Sequence, residues 1–273
     1  MKLKKHIGYK SENQIWRILI SSKYYLILET RNTDAKQVFF CSFDINKGKK
    51  IFLEKQFDEK YWIGIEKVHE GIIYFHGFAK PDMPGHRGII AFDIDMQKII
   101  WENQQYTFLF LYNEKIYCFV QKFESRDYYV VDSRTGSLIE QLNLSEQEVN
   151  ELRKKAADEE NYSDYSFSFF VNESTNAEHK EIIDKFTEGM KIIGDIEFIA
   201  QNDVFICSFH EKTDKNNLIN HLICYSMKEQ KILLNEIINH NTLYPAPDSF
   251  FIYKNILIFV KDKKEVLLYK IER

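Results

Sequence analysis

Phe92-Asp-Ile-Asp-Met-Gln-Lys-Ile-Ile-Trp101 reads as an apolar strand closing on Asp93, a polar turn and a second strand, the pattern of a β-hairpin. The pattern recurs as Phe43-Asp-Ile-Asn-Lys-Gly-Lys-Lys-Ile-Phe52 and Val131-Asp-Ser-Arg-Thr-Gly-Ser-Leu-Ile-Glu140. A degenerate copy is Tyr225-Ser-Met-Lys-Glu-Gln-Lys-Ile-Leu-Leu234, and Tyr269-Lys-Ile-Glu-Arg273 is a shortened one. Successive copies start 49, 39, 94 and 44 residues apart, the 94 being two units of about 47. Asp44, Asp93 and Asp132 fit turn residues that bond the backbone two residues on, so we read these carboxylates as structural.

Two more strand-like runs precede each hairpin, as in Tyr61-Trp-Ile-Gly-Ile-Glu-Lys67 and Gly71-Ile-Ile-Tyr-Phe-His76. Four strands per unit is the make-up of a propeller blade. Turns near 44, 93, 132, 172–180, 226 and 269 predict an all-β chain, a six-bladed β-propeller with seven blades as the alternative, occupying 1–273 as a single domain. Because the last copy stops short, Leu3–Tyr9 is expected to add to the last blade and close the ring. Ser145-Glu-Gln-Glu148 is a capping box, and Val149, Leu152 and Ala156 share one face, which predicts a short helix over 145–160. Ile182, Ile183 and Phe186 fit either an irregular blade or a second short helix.

The 22 Phe, 16 Tyr and 3 Trp, with 44% hydrophobic residues overall, supply a sizeable core and exclude a disordered chain. Thirty-seven basic residues against 41 acidic ones give a net charge of −4 with no long block of either sign, which argues against nucleic acid as a partner. The basic opening Met1-Lys-Leu-Lys-Lys5 is followed by no apolar segment, and no uncharged run approaches membrane-spanning length, so we expect a cytoplasmic protein without membrane insertion. Cys41, Cys118, Cys207 and Cys224 each sit inside an apolar run without C-x-x-C spacing, as buried core residues do.

The segment His76–Gly88 departs most from the repeat. It gathers Gly77, Gly85, Gly88, Pro81, Pro84, His76, His86, Asp82 and Arg87, and reads as an enlarged loop between the second and third strands of its blade. His76, Asp82, His86 and Arg87 could together hold an anion or a metal, or the segment could be an ordered turn. His76 and His86 lie ten residues apart with no short ligand spacing, so no metal is expected. Glu29 and Arg31 share a strand face and either pair across blades or line a central channel. Trp16, Trp62 and Trp101 are expected to pack between blades, with Trp62 also a candidate aromatic platform for a ligand. No nucleophile elbow, phosphate loop or dinucleotide fingerprint occurs, and no cofactor is expected.

The hairpin Gly88–Trp101 and the turn Asp132-Ser-Arg-Thr-Gly136 resemble the repeat of quinoprotein-like propellers. Over most of its length, through Ile15-Trp-Arg17, Glu29-Thr-Arg31, Tyr61-Trp-Ile-Gly64, His76–Gly88, Asp248-Ser-Phe-Phe-Ile-Tyr253 and Leu257-Ile-Phe-Val260, the chain is similar to an uncharacterised bacterial family of propeller-like proteins. That resemblance implies a propeller and carries over no catalytic residue. Quinone-dependent members of the wider superfamily are longer, exported and usually eight-bladed. The expected function is therefore a non-catalytic propeller presenting loops to a protein or small-molecule ligand. The alternative is a hydrolase or lyase at the mouth of the central channel, using His76, His86, Arg87 and groups from other blades.

Overall fold

The repeated turns set the strand pairing. In the computed structural model, which describes residues 1–80, 83–213 and 217–272, Asp44 Oδ1 accepts the amide of Lys47 at 2.9 Å and Asp93 Oδ1 that of Met96 at 2.7 Å. Asp132 Oδ1 accepts the amide of Thr135 at 2.8 Å and also that of Arg134 at 3.0 Å. In the degenerate copy, Ser226 Oγ replaces the carboxylate and accepts the amide of Glu229 at 3.1 Å. The main bond thus reaches three residues on, not two. The residue that follows turns left-handed in each of these four copies: Gly48, Gln97, Gly136 and Gln230, with φ of 64°, 52°, 69° and 49°. Such a left-handed closing residue lets a short loop match the twist of the two strands it joins. Glutamine at two of these positions explains how hairpins form in a chain with only ten glycines.

In chain order, β1 is Lys2–Lys10, and β2 (Gln14–Ile20), β3 (Tyr25–Asn32), β4 (Gln37–Asp44) and β5 (Lys49–Lys55) form an antiparallel sheet in sequence order. A second sheet has β6 (Ile63–His69), β7 (Ile72–Lys80), β8 (Met83–Asp93) and β9 (Lys98–Asn103). A third has β10 (Thr107–Tyr112), β11 (Lys115–Gln121), β12 (Arg126–Asp132) and β13 (Leu138–Leu142). Helix α1 (Glu146–Asp158) then starts at the Ser145–Glu148 capping box and packs Val149, Leu152 and Ala156 against Phe110 and Tyr128. Next come β14 (Tyr165–Phe167), β15 (Phe169–Phe170), α2 (Ala177–Thr187), β16 (Glu197–Gln201), β17 (Val204–Lys212), β18 (Leu218–Ser226) and β19 (Lys231–Thr242). The chain ends with β20 (Phe250–Tyr253), β21 (Ile256–Lys261) and β22 (Glu265–Glu272). Two compact units result: residues 13–161 hold the first three sheets, and residues 1–12 with 162–273 hold two five-stranded sheets.

The described residues therefore form five sheets, not the six expected. The difference lies in 162–196. Phe167-Ser-Phe-Phe-Val171 does not start a blade of its own. Instead β14 adds to β20 and β15 adds to β16, so two fragments widen two existing sheets. The turn expected in 172–180 is the N-cap of α2, where Asn176 Oδ1 accepts the amide of Glu178 at 2.8 Å. Ile183 of α2 is buried, and Ile182 and Phe186 pack beside it against Phe205, Phe209 and Tyr225. The N-terminal strand β1 pairs antiparallel with β22, with Leu3 opposite Ile271 and Tyr9 opposite Val266. All four cysteines are buried and free, and burial pushes the Cys118 and Cys224 thiols up to about 12. No described helix is long and apolar enough to cross a membrane.

One turn is locked by an aromatic ring. Trp101 donates its indole N–H to the Ser133 carbonyl at 2.9 Å, and a Cβ on Gly136 would lie 2.6 Å from that ring. With φ at 69° as well, Gly136→Ala is expected to cost about 2 kcal/mol, from overpacking plus left-handed strain, read by urea denaturation. A neutral outcome would mean that the indole moves freely. Trp101 is thus an inter-sheet packing residue, as its sequence predicts, whereas Trp16 is 56% exposed.

A buried polar network holds the two sheets of the other unit together. Glu197, 4% exposed, accepts from Ser168 Oγ and the Ser249 amide, while Asn220 bridges Ser208 Oγ and Ser249 Oγ. Burial raises the Glu197 carboxyl above its ordinary value, against the pull of those two donors. The folded state therefore holds the proton more tightly than the unfolded chain. Stability supplied by protonated Glu197 is present below the unfolded value of 4.5 and is lost as the pH rises through the folded one. Melting curves of wild type and Glu197→Gln should diverge in that direction, wild type falling relative to the variant as pH rises. A constant difference would contradict it.

Candidate functional site

The most chemically loaded side chains converge on the second sheet, through a displaced register. In β6, Ile65 pairs with Phe75 and Lys67 with Tyr74, so Glu66 has no partner and forms a bulge. The same slip leaves out Trp16 in β2 and Leu109 in β10, so the bulge belongs to the repeat and only its side chain changes. Bulges re-aim side chains, and this one directs a carboxylate toward β7. By the same register, Arg31 of β3 and Phe119 of β11 occupy the place that His76 takes in β7.

His76 lies opposite Gly64, and a Cβ there would come within 2.9 Å of the imidazole and 3.2 Å of the Arg31 guanidinium. Glycine is thus what admits the ring. His86 stacks on His76 with ring centres 3.5 Å apart and planes 7° from parallel. Glu66 Oε1 is 2.6 Å from His86 Nδ1 and 3.1 Å from His76 Nδ1. Burial alone would raise the Glu66 carboxyl, but its contact with His76 and the charges of both imidazoles outweigh burial and hold it below its ordinary value.

The segment expected as an enlarged loop is mostly strand. β7 and β8 run on as a long hairpin, with Gly77 opposite Arg87 and Phe78 opposite His86. This ladder brings His76 and His86 together although ten residues separate them in sequence. Arg87 points elsewhere and donates from Nε to the Gln104 carbonyl at 3.2 Å. Asp82 lies outside the described residues.

Glu29 and Arg31 form a clamp. Arg31 donates from Nε to Glu29 Oε1 at 2.6 Å, from Nη1 to the Tyr61 carbonyl at 3.1 Å and from Nη2 to the Ile63 carbonyl at 2.7 Å. Glu29 Oε2 accepts the Ile65 amide at 3.2 Å. Both side chains are thus occupied in tying β3 to the start of β6, and Trp16 and Tyr61 flank the guanidinium.

On the same unit a cleft of about 870 Å³ opens between the 55–62 segment and β7–β9. Phe57, Trp62 and Phe78 supply aromatic surface, and Arg87, Lys98 and Glu102 supply charge. Trp62 meets Phe78 edge to face at 5.5 Å, and Glu59 Oε1 fixes the backbone beneath it by accepting the amides of Tyr61 and Trp62. The cleft thus uses two expected residues, Trp62 and Arg87, with others that their sequence positions did not mark. Glu66 was missed as well. The one local signal for it was Gly64, a strand glycine that betrays close approach of a neighbour.

Residues 20–101 match the family described as Domain of unknown function, DUF4905. The match takes in β3 to β8 and most of β9, including Glu66, His76 and His86, and covers less than a third of the chain. Comparison with curated proteins gives no match. Among solved structures, the chain is similar to the uncharacterized protein lmo1340 from Listeria monocytogenes EGD-e, at 13% identity and a TM-score of 0.33, over 94% of this chain and 83% of that one. The Dos1 propeller aligns at 8% identity and 0.30, over 94% and 55%. Quinohemoprotein alcohol dehydrogenase from Comamonas testosteroni aligns at 11% and 0.33, over 94% and 42%. Scores this low transfer neither fold nor activity.

Proposed function

We propose that the protein is a non-catalytic, propeller-type binding protein whose four-stranded sheets act as blades and whose ligand seat is the cleft between the 55–62 segment and β7–β9. The cleft itself carries this reading. Its volume of about 870 Å³ lies in the range of small-molecule sites, and it combines aromatic walls with a few convergent polar groups. Trp62 and Phe78 offer faces for an aromatic or sugar ring, while Lys98 and Glu102 offer hydrogen bonds at its rim. The hydrolase or lyase reading needs His76, His86 and Arg87 to converge with groups from other blades. Here the convergent His and Glu come from adjacent strands of one sheet, which favours binding over turnover.

The experiment is a screen of small aromatic and sugar ligands by saturation-transfer NMR, repeated on Trp62→Ala. Loss of one stacking face should weaken a cleft ligand about five- to tenfold. Ligands that bind wild type and Trp62→Ala equally would overturn the assignment, as would turnover of ester, lactone or glycoside substrates by the wild type.

A further inference from the structure

We propose that Glu66, His76 and His86 form a binding site for one divalent first-row transition-metal ion, held by a carboxylate oxygen and two imidazole nitrogens. One ligand atom from each of the three lies within 4.8 Å of the other two. In a tetrahedral site with bonds of about 2.0–2.1 Å, ligand atoms stand roughly 3.3–3.4 Å apart. The observed separation of 3.1 Å from Glu66 Oε1 to His76 Nδ1 needs to open by about 0.2–0.3 Å, and that of 2.6 Å to His86 Nδ1 by about 0.7–0.8 Å, a shift that falls to the exposed His86 ring.

A second observation points into the same space. His76 is 4% exposed, and its Nδ1 faces Glu66 Oε1 at 3.1 Å as an ion pair without a hydrogen bond among the described residues. A buried ring nitrogen whose hydrogen bond is not made keeps part of its desolvation cost, which a coordinate bond would remove. The scaffold that fixes it is rigid. Gly64 seats the ring, the Glu66 bulge presents the carboxylate, and the β7–β8 ladder sets His86 over His76.

The parallel stacking leaves the two imidazole lone pairs side by side, so coordination requires one ring to tilt. His86 is the ring that can move, with its side chain 38% exposed near the end of the hairpin. Its exposure also leaves the remaining coordination position facing solvent. Two imidazoles and one carboxylate suit zinc and its first-row neighbours, and no thiolate is near enough to be recruited: all four cysteines are buried elsewhere in the core. None of the three ligands lines the cleft, so this site stands or falls independently of the ligand seat.

The test is titration of the full chain with Zn²⁺ by calorimetry, and with Co²⁺ by absorption spectroscopy. One ion per chain is expected, with cobalt bands of nitrogen and oxygen ligation and no thiolate charge-transfer band. His86→Ala, an exposed substitution that leaves the core intact, should weaken binding at least about tenfold, since even outer-shell changes reach that size. Glu66→Gln should do the same if it folds. His240→Ala, which removes an exposed His–Asp pair in the other unit, should leave binding unchanged. Absence of saturable 1:1 binding, equal affinity in His86→Ala, loss of binding in His240→Ala, or a thiolate band would each overturn the site.

Discussion

Arg31→Ala is expected to lower stability by about 3–5 kcal/mol, the cost of leaving a buried charge without its partner. Glu29 is 2% exposed, and Arg31 is the cation that neutralises it. The same guanidinium satisfies two carbonyls, at Tyr61 and Ile63, so its loss orphans three acceptors at once. Arg17, which donates to the Ile65 carbonyl, does not replace these bonds. Arg31→Lys should recover little of the loss, because one ammonium cannot reproduce the fork that spans Glu29 and two carbonyls. Changing Glu29 and Arg31 together to apolar residues of similar size should cost clearly less than Arg31→Ala alone. Urea denaturation of the three variants measures this. A loss below about 1 kcal/mol for Arg31→Ala would show that the pair is not the clamp between β3 and β6.

Removing residues 2–10 should have an effect of similar size. The deletion strips β1 from β22, from the Lys2–Glu272 pair to the Lys10–Glu265 pair. Ile7 is buried, and Met1 and Leu3 pack against the apolar cluster around Leu257 and Leu267. At about 1.5–3 kcal/mol for each well-buried aliphatic side chain, partial burial of the others included, the loss is at least about 3 kcal/mol. It also leaves β22 as an open edge, so aggregation should rise along with the fall in melting temperature. A truncated chain that melts with wild type and stays monomeric would contradict the pairing.

What the sequence discloses about this fold is what local chemistry controls. The Asp-led turns, the capping box at Ser145 and the apolar faces of both helices are determined within a few residues, and each is legible. The sheet count was not, because whether Tyr165–Phe167 founds a sheet or joins β20 depends on a partner some 85 residues away. The site divides in the same way. His76 and His86 stand out by composition, but the bulge that turns Glu66 toward them arises from register between strands. Gly85 and Pro84 read as loop residues, yet they lie within β8 because pairing with β7 extends the ladder past them.

The ligand seat is tested most directly by hydrogen–deuterium exchange of the full chain with and without a ligand found in the NMR screen. Protection should rise in residues 55–62, 77–78 and 97–104, which frame the cleft, and stay unchanged in β14–β16. Protection confined to β14–β16, with none around Trp62, would contradict the assignment.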